Sequence, residues 1–165
     1  MRSKASSAEV IRFTRRGSER GGGAGLMEAR ADGRFEGYAS LFGVRDAGGD
    51  MVMRGAFAKS LRARAAAGVK MLYQHQAAEP LGVWSEIYED GAGLFVRGRI
   101  ITDVSRGREV LSLMREGALD GLSIGFKTMR ASGARGRRQI LEADLWEVSV
   151  VTFPMLAGAR VRRVG

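Results

Sequence analysis

The sequence predicts a mainly β fold with a few helices (α+β), arranged as a closed or near-closed β-barrel of about seven strands ringed by helices. Three observations lead there. Apolar and polar residues alternate with period two in many short runs, the pattern of half-buried strands. Clusters of Gly and Asp punctuate those runs at hairpin spacing. Only two stretches have helical character, too few for the regular βαβ alternation of a doubly wound sheet. Closing the sheet on itself is the simplest way for so many short strands to avoid exposed edges.

The elements follow in order. Phe35, Gly37, Ala39 and Leu41 alternate with Glu36, Tyr38 and Ser40 as a first strand. A turn at Gly48-Gly49-Asp50 precedes residues 55–67, a run rich in helix formers that ends at Gly68, a fitting residue just past a helix. Val69–Gln74 reads as a short buried strand leading directly to His75. Pro80–Tyr88 and Gly93–Ile101 are two further strands joined by a turn at Glu89-Asp90-Gly91-Ala92. Asp103 or Ser105 is placed to cap a second helix, with Val110, Leu113 and Met114 on one face and Gly117 as its stop. Leu122, Ile124 and Phe126 alternate with Ser123, Gly125 and Lys127 as another strand. The polar stretch 130–138 reads as a mobile loop. Ile140–Leu145 runs into the last strand, Trp146–Phe153, stopped by Pro154.

The 165 residues suit one domain, expected over 34–161, with a flexible basic Gly/Arg-rich tail at 1–33 and a short basic C-terminus at 162–165. The glycine run 21–25 lacks the strand and helix that would frame a phosphate-binding loop, so it reads as a linker. No apolar run approaches the roughly 20 residues of a membrane helix, and the N-terminus has no apolar signal segment. A soluble, intracellular protein is expected. With no cysteine and one histidine, thiolate and multi-histidine metal sites are excluded within the chain, and no cofactor is expected. The net charge of +9 sits in the tail, the 127–138 stretch and the C-terminus, while residues 31–126 balance. Such a distribution supports non-specific contact with nucleic acid at most, because interleaved aromatics and recognised binding motifs are missing.

Chemistry centres on two residues. Gly121-Leu122-Ser123-Ile124-Gly125 fits the G-x-S-x-G spacing of a nucleophile elbow, but the elbow needs a helix after the serine and a histidine later in the chain. Here a strand continues after Ser123, and His75 lies 48 residues before it. The elbow reading fails. A serine nucleophile still needs a base, and His75 is the single candidate. A carboxylate to orient His75 would complete the set. Glu147, isolated in an apolar strand, is the leading choice, with Asp144 and Asp50 as rivals.

The blocks FEGYASLFG, GGDMVMRGAF, VKMLYQH followed by EPLG, DGAGLFVRG, GALDGLSIGF and LWEVSVVTFP resemble, in that order, the prohead (capsid-maturation) serine proteases of tailed bacteriophages and gene-transfer agents. The resemblance covers about three-quarters of the chain. It implies a fold similar to the herpesvirus assemblins, with the family's histidine at His75 and its serine at Ser123. The herpesvirus enzymes carry a second histidine where this chain has Glu147, so a carboxylate must serve here. It further implies an endopeptidase acting on the capsid protein precursor or its scaffolding segment, and on itself, inside assembling proheads in the bacterial host cytoplasm. A homodimer is compatible with the sequence. Many relatives continue beyond the protease domain, so the basic tails or contact with the capsid protein are expected to substitute for that extension. The alternative is a catalytically silent capsid-assembly or scaffold-like protein of the same fold, or, further off, a basic nucleic-acid-binding protein.

Overall fold

A computed structural model describes residues 32–165; the tail expected at 1–33 lies almost wholly outside the described residues. Eight strands and two helices follow one another as β1 (Arg34–Leu41), β2 (Met51–Val52), α1 (Ala58–Gly68), β3 (Lys70–Tyr73), β4 (Gln76–Glu89), β5 (Gly93–Ile100), α2 (Ser105–Arg115), β6 (Gly121–Ser132), β7 (Gln139–Val151) and β8 (Val161–Val164). The expected α+β class holds. Ile140–Leu145 and the expected last strand after it form one strand, β7, and two short strands, β2 and β8, bring the count from about seven to eight. Neither has enough residues to show periodicity alone, and both exist because a longer neighbour supplies the ladder. Residues 162–164, expected as part of a basic terminus, lie in β8 against β1.

All eight strands form one sheet in the order β2-β7-β3-β4-β5-β1-β8, with β6 paired to β7. β7 takes β6 antiparallel along one edge and β2 and β3 parallel along the other. The expected closed barrel is not formed. The sheet ends, β6 and β8, meet only at an isolated bridge between Gly121 and Arg160, flanked by amide bonds from Leu122 to Ala159 O and from Val161 to Asp120 O. β7 ends at Val151, short of the expected stop at Pro154, and the chain after it does not rejoin the sheet as a strand until Val161, where β8 pairs with β1 instead. The gap leaves space beside β6.

Helix α1 has no side-chain cap of its own; instead Glu89, at the end of β4, accepts the Gly55 and Phe57 amides at 3.0 and 2.8 Å. A carboxylate there satisfies orphan donors and complements the helix dipole. The helix is broken at Ala65 (φ 55°) and includes Gly68, which was expected just outside it. Ser60 ties α1 to β7 by accepting the Leu145 amide at 2.8 Å. Neither Asp103 nor Ser105 caps α2: Val104 occupies that position and Ser105 is the first helical residue. Leu111, rather than Leu113, joins Val110 and Met114 in the core, since positions i, i+1 and i+4 lie within one helical arc, and Leu113 faces solvent. Gly117 does end α2, at φ 73°, with the Gly117 amide bonded to Met114 O and the Ala118 amide to Leu113 O, a Schellman stop. The polar loop expected at 130–138 shrinks to 133–138, because β6 and β7 extend their pairing to Ser132 and Gln139.

The core gathers Phe35, Phe57, Met71, Leu81, Trp84, Leu94, Ile100, Met114, Leu122, Leu145 and Val148. Phe57 is fully buried and meets Phe126 edge-on, ring centroids 6.4 Å apart. Phe57→Ala is expected to destabilise the fold by about 3–5 kcal/mol, read as a lowered urea midpoint with unchanged slope.

Candidate active site

The site is built on the middle of β7. Val148 and Val150 point into the core, so Glu147 and Ser149, displaced by one residue, share the opposite face. In the β6–β7 register Ser123 stands directly opposite Ser149 and Gly125 opposite Glu147. Directly opposed residues project to the same side of a sheet. Ser123, Glu147 and Ser149 therefore share one face. Along the other edge of β7, β3 runs parallel from Lys70 to Tyr73, and the chain then turns at Gln74-His75. That turn delivers the histidine to the same region.

His75 Nδ1 lies 2.6 Å from Glu147 Oε1. The second carboxylate oxygen, Oε2, accepts a hydrogen bond from Ser149 Oγ at 2.7 Å. Ser149 Oγ in turn accepts the His75 backbone N–H at 3.0 Å. The carboxylate is mostly covered, 13% exposed, while the imidazole is 42% exposed. The hydrogen bond to Glu147 holds the His75 imidazole above its ordinary value of 6.5, against the opposing effect of burial. With Nδ1 engaged by a carboxylate, the proton sits on Nδ1 and Nε2 keeps its lone pair for an incoming proton.

Ser123 is buried at 4% exposure, and no hydrogen bond to its hydroxyl forms among the described residues, His75 included. Catalytic hydrogen bonds commonly tighten only when substrate is bound. A cavity of about 210 Å³ opens beside Ser123, walled by apolar side chains that include Val52, Ile124, Phe126 and Met155, with Asp46 and Asp50 at one side.

The other two carboxylates weighed for His75 are engaged elsewhere. Asp144 binds Ser60, Arg64 and the Trp146 indole. Asp50 is held by Arg138 through two hydrogen bonds of 2.9 and 2.5 Å. Of the three, only Glu147 touches the histidine.

Gly125 explains the second glycine of the G-x-S-x-G segment. A β-carbon there would lie 2.1 Å from Glu147 Oε1, so the carboxylate occupies the space a side chain would fill. Gly125→Ala is expected to lower stability measurably, because the β-carbon would also meet Glu147 Cδ and Cγ at 2.7 and 2.8 Å and displacing them breaks the bonds of the carboxylate to His75 and Ser149. Turnover should fall about 10²-fold, since that movement misplaces His75. Thermal melts alongside peptide-cleavage rates check both halves. Sequence reasoning missed Ser149 and this role of Gly125. The signal was available: in a strand of period two, the Glu147 and Ser149 of E-V-S fall on one face.

Among the described residues, the mostly β arrangement of one eight-stranded sheet and two helices is similar in fold to solved viral proteases. The KSHV protease, solved with a hexapeptide phosphonate inhibitor, superposes with a TM-score of 0.51 at 11% identity, covering 78% of this chain and 63% of that one. The capsid assembly protease of bacteriophage T4 superposes with a TM-score of 0.59 at 16% identity, covering 73% and 82%. These likenesses are of fold. Sequence places the chain further: residues 25–164 match the Caudovirus prohead serine protease family, and the chain belongs to it. The prohead protease of Enterobacteria phage HK97 is 36% identical over 126 residues, 74% of this chain; the chain spans 56% of that relative's length.

Proposed function

We propose that the protein is a serine endopeptidase that cuts the capsid protein precursor or its scaffolding segment, and its own chain, inside assembling proheads in the bacterial host. The observation that carries this reading is the 2.6 Å bond between His75 Nδ1 and Glu147, formed on the sheet face that bears Ser123. In this reading Ser123 Oγ attacks the scissile carbonyl while His75 Nε2 accepts its proton, then returns it to the leaving amine. Glu147 fixes the tautomer and stabilises the imidazolium that forms. Water repeats the sequence on the acyl-enzyme and regenerates Ser123. Family membership and the HK97 relative support the substrate class. No helix among the described residues is long and apolar enough to cross a membrane.

Co-expression with its capsid protein precursor, read by intact mass, tests this function. The wild-type chain should trim the precursor, and the Ser123→Ala chain should leave it whole; identical trimming by both would overturn the reading. The apolar cavity beside Ser123 adds an expectation for the mapped cuts. A residue flanking the severed bond should present an apolar side chain.

A further inference from the structure

His75 sits in an unusual place for a base that must be held still. Tyr73 pairs with Gln76, so Gln74 and His75 are the two central residues of a tight β3–β4 hairpin. Both have positive φ, 51° and 60°, the signature of a type I′ turn. Such positions favour Asn and Gly, and a residue with a larger side chain is strained there. Neither residue is Gly or Asn. Strain of this kind persists only where surrounding contacts over-determine the conformation.

The contacts are present, and they all come from β7 and its C-terminal end. The Gln74 amide bonds to Val150 O at 3.0 Å. The Gln74 side chain donates to Thr152 Oγ1 at 2.7 Å and accepts the Thr152 amide at 3.4 Å. Ser149, fully buried, accepts the His75 amide with the same hydroxyl that donates to Glu147 Oε2. One oxygen thus ties the backbone of the base to the carboxylate that orients its ring.

We propose that Ser149 is a positioning residue: its hydroxyl locks the strained Gln74-His75 turn to Glu147, with the Gln74–Thr152 pair as the outer half of the clamp. The chemistry supports this role for a hydroxyl specifically. It must accept from an N–H and donate to a carboxylate at once, which alanine, valine or a second carboxylate cannot do. Ser149 is fully buried, so it acts through His75 and Glu147 and not on the reacting atoms. The inference rests on the proposed roles of those two residues for its kinetic consequences, but not for its geometric ones.

His75 is the chain's single histidine, so the imidazole ¹⁵N signals report on it without assignment. In the Ser149→Ala chain, the Nδ1–H tautomer should give way to a mixture, and the imidazole should titrate at lower pH than in wild type. On a fluorogenic peptide spanning the mapped cut, kcat should fall about 10- to 100-fold while KM stays constant. Thr152→Val, at an exposed position, should shift the same signals in the same direction by less, and it stands in if Ser149→Ala does not fold. Ser149→Thr, which keeps the hydroxyl, should restore the tautomer. An unchanged tautomer and titration in folded Ser149→Ala, or in Thr152→Val where that variant stands in, would overturn the lock. Altered ¹⁵N signals with no loss of kcat would leave the lock standing and count against His75 as the base.

Discussion

Ser123→Ala and His75→Ala should each lower single-turnover cleavage by about 10⁵- to 10⁶-fold, and the double variant should be no worse than either alone. Non-additivity follows from the division of labour. In the proposed mechanism, losing Ser123 leaves no proton for His75 to take, and losing His75 leaves the hydroxyl un-ionised near neutral pH. Stability should separate the two variants. The Ser123 hydroxyl has no hydrogen-bond partner among the described residues, so removing it should barely move the melting temperature. His75→Ala strips Glu147 Oε1 of its 2.6 Å partner and leaves a mostly covered carboxylate with Ser149 alone, which should lower the melt measurably. Ser123→Ala with full activity would remove Ser123 from the mechanism, and additive losses would show that the two residues do not act as a unit.

Much of this site could be read before the structure, and the reasons are local. Period two made β6 and β7 visible, and the isolated glutamate in LWEVSVV marked a residue needing a partner. A serine and a histidine 48 residues apart could be paired because the chain has one histidine to offer. The structure joins His75 to Glu147 through β7, and Ser123 to that face through the β6–β7 register. What escaped was whatever depends on tertiary partners. The cap on α1 comes from Glu89, more than thirty residues along the chain. β2 and β8 are too short to carry periodicity. The open sheet depends on where β7 ends, at Val151, and where β8 begins, and alternation says nothing about either. The turn at Gln74-His75 breaks the residue preferences that sequence reading relies on, because β7 supplies the compensation. A local rule failed there for a reason that belongs to the site.

Glu147→Gln is the substitution that separates orientation from charge. It keeps the size of the side chain, and the Ser149 hydroxyl still has a carbonyl oxygen to donate to. That preference aims the new amide NH₂ at His75 Nδ1. A donor facing Nδ1 selects the tautomer with its proton on Nε2, which cannot accept one from Ser123. Turnover should therefore fall about 10³- to 10⁴-fold with little change in KM, the scale of losing the correct tautomer in a serine peptidase. The pH dependence has a definite sign. The proposed mechanism needs neutral His75, and Glu147 raises the pH at which the imidazole loses its proton above 6.5. The acidic limb of the wild-type profile should thus lie above that value, and the limb of the glutamine variant should move to lower pH. Stability should respond in the opposite sense. A raised histidine stabilises the fold below its unfolded value near 6.5 and loses that contribution as the pH rises through the folded one. The stability gap between wild type and Glu147→Gln should accordingly be widest at mildly acidic pH and narrow as the pH rises through the folded value, into the range where the proposed mechanism has His75 neutral. The His75–Glu147 pair would then be most stabilising in the protonation state that does not catalyse. Urea titrations across that range, paired with pH–rate profiles, test both signs, and a glutamine variant with an unmoved acidic limb would show that Glu147 does not govern His75.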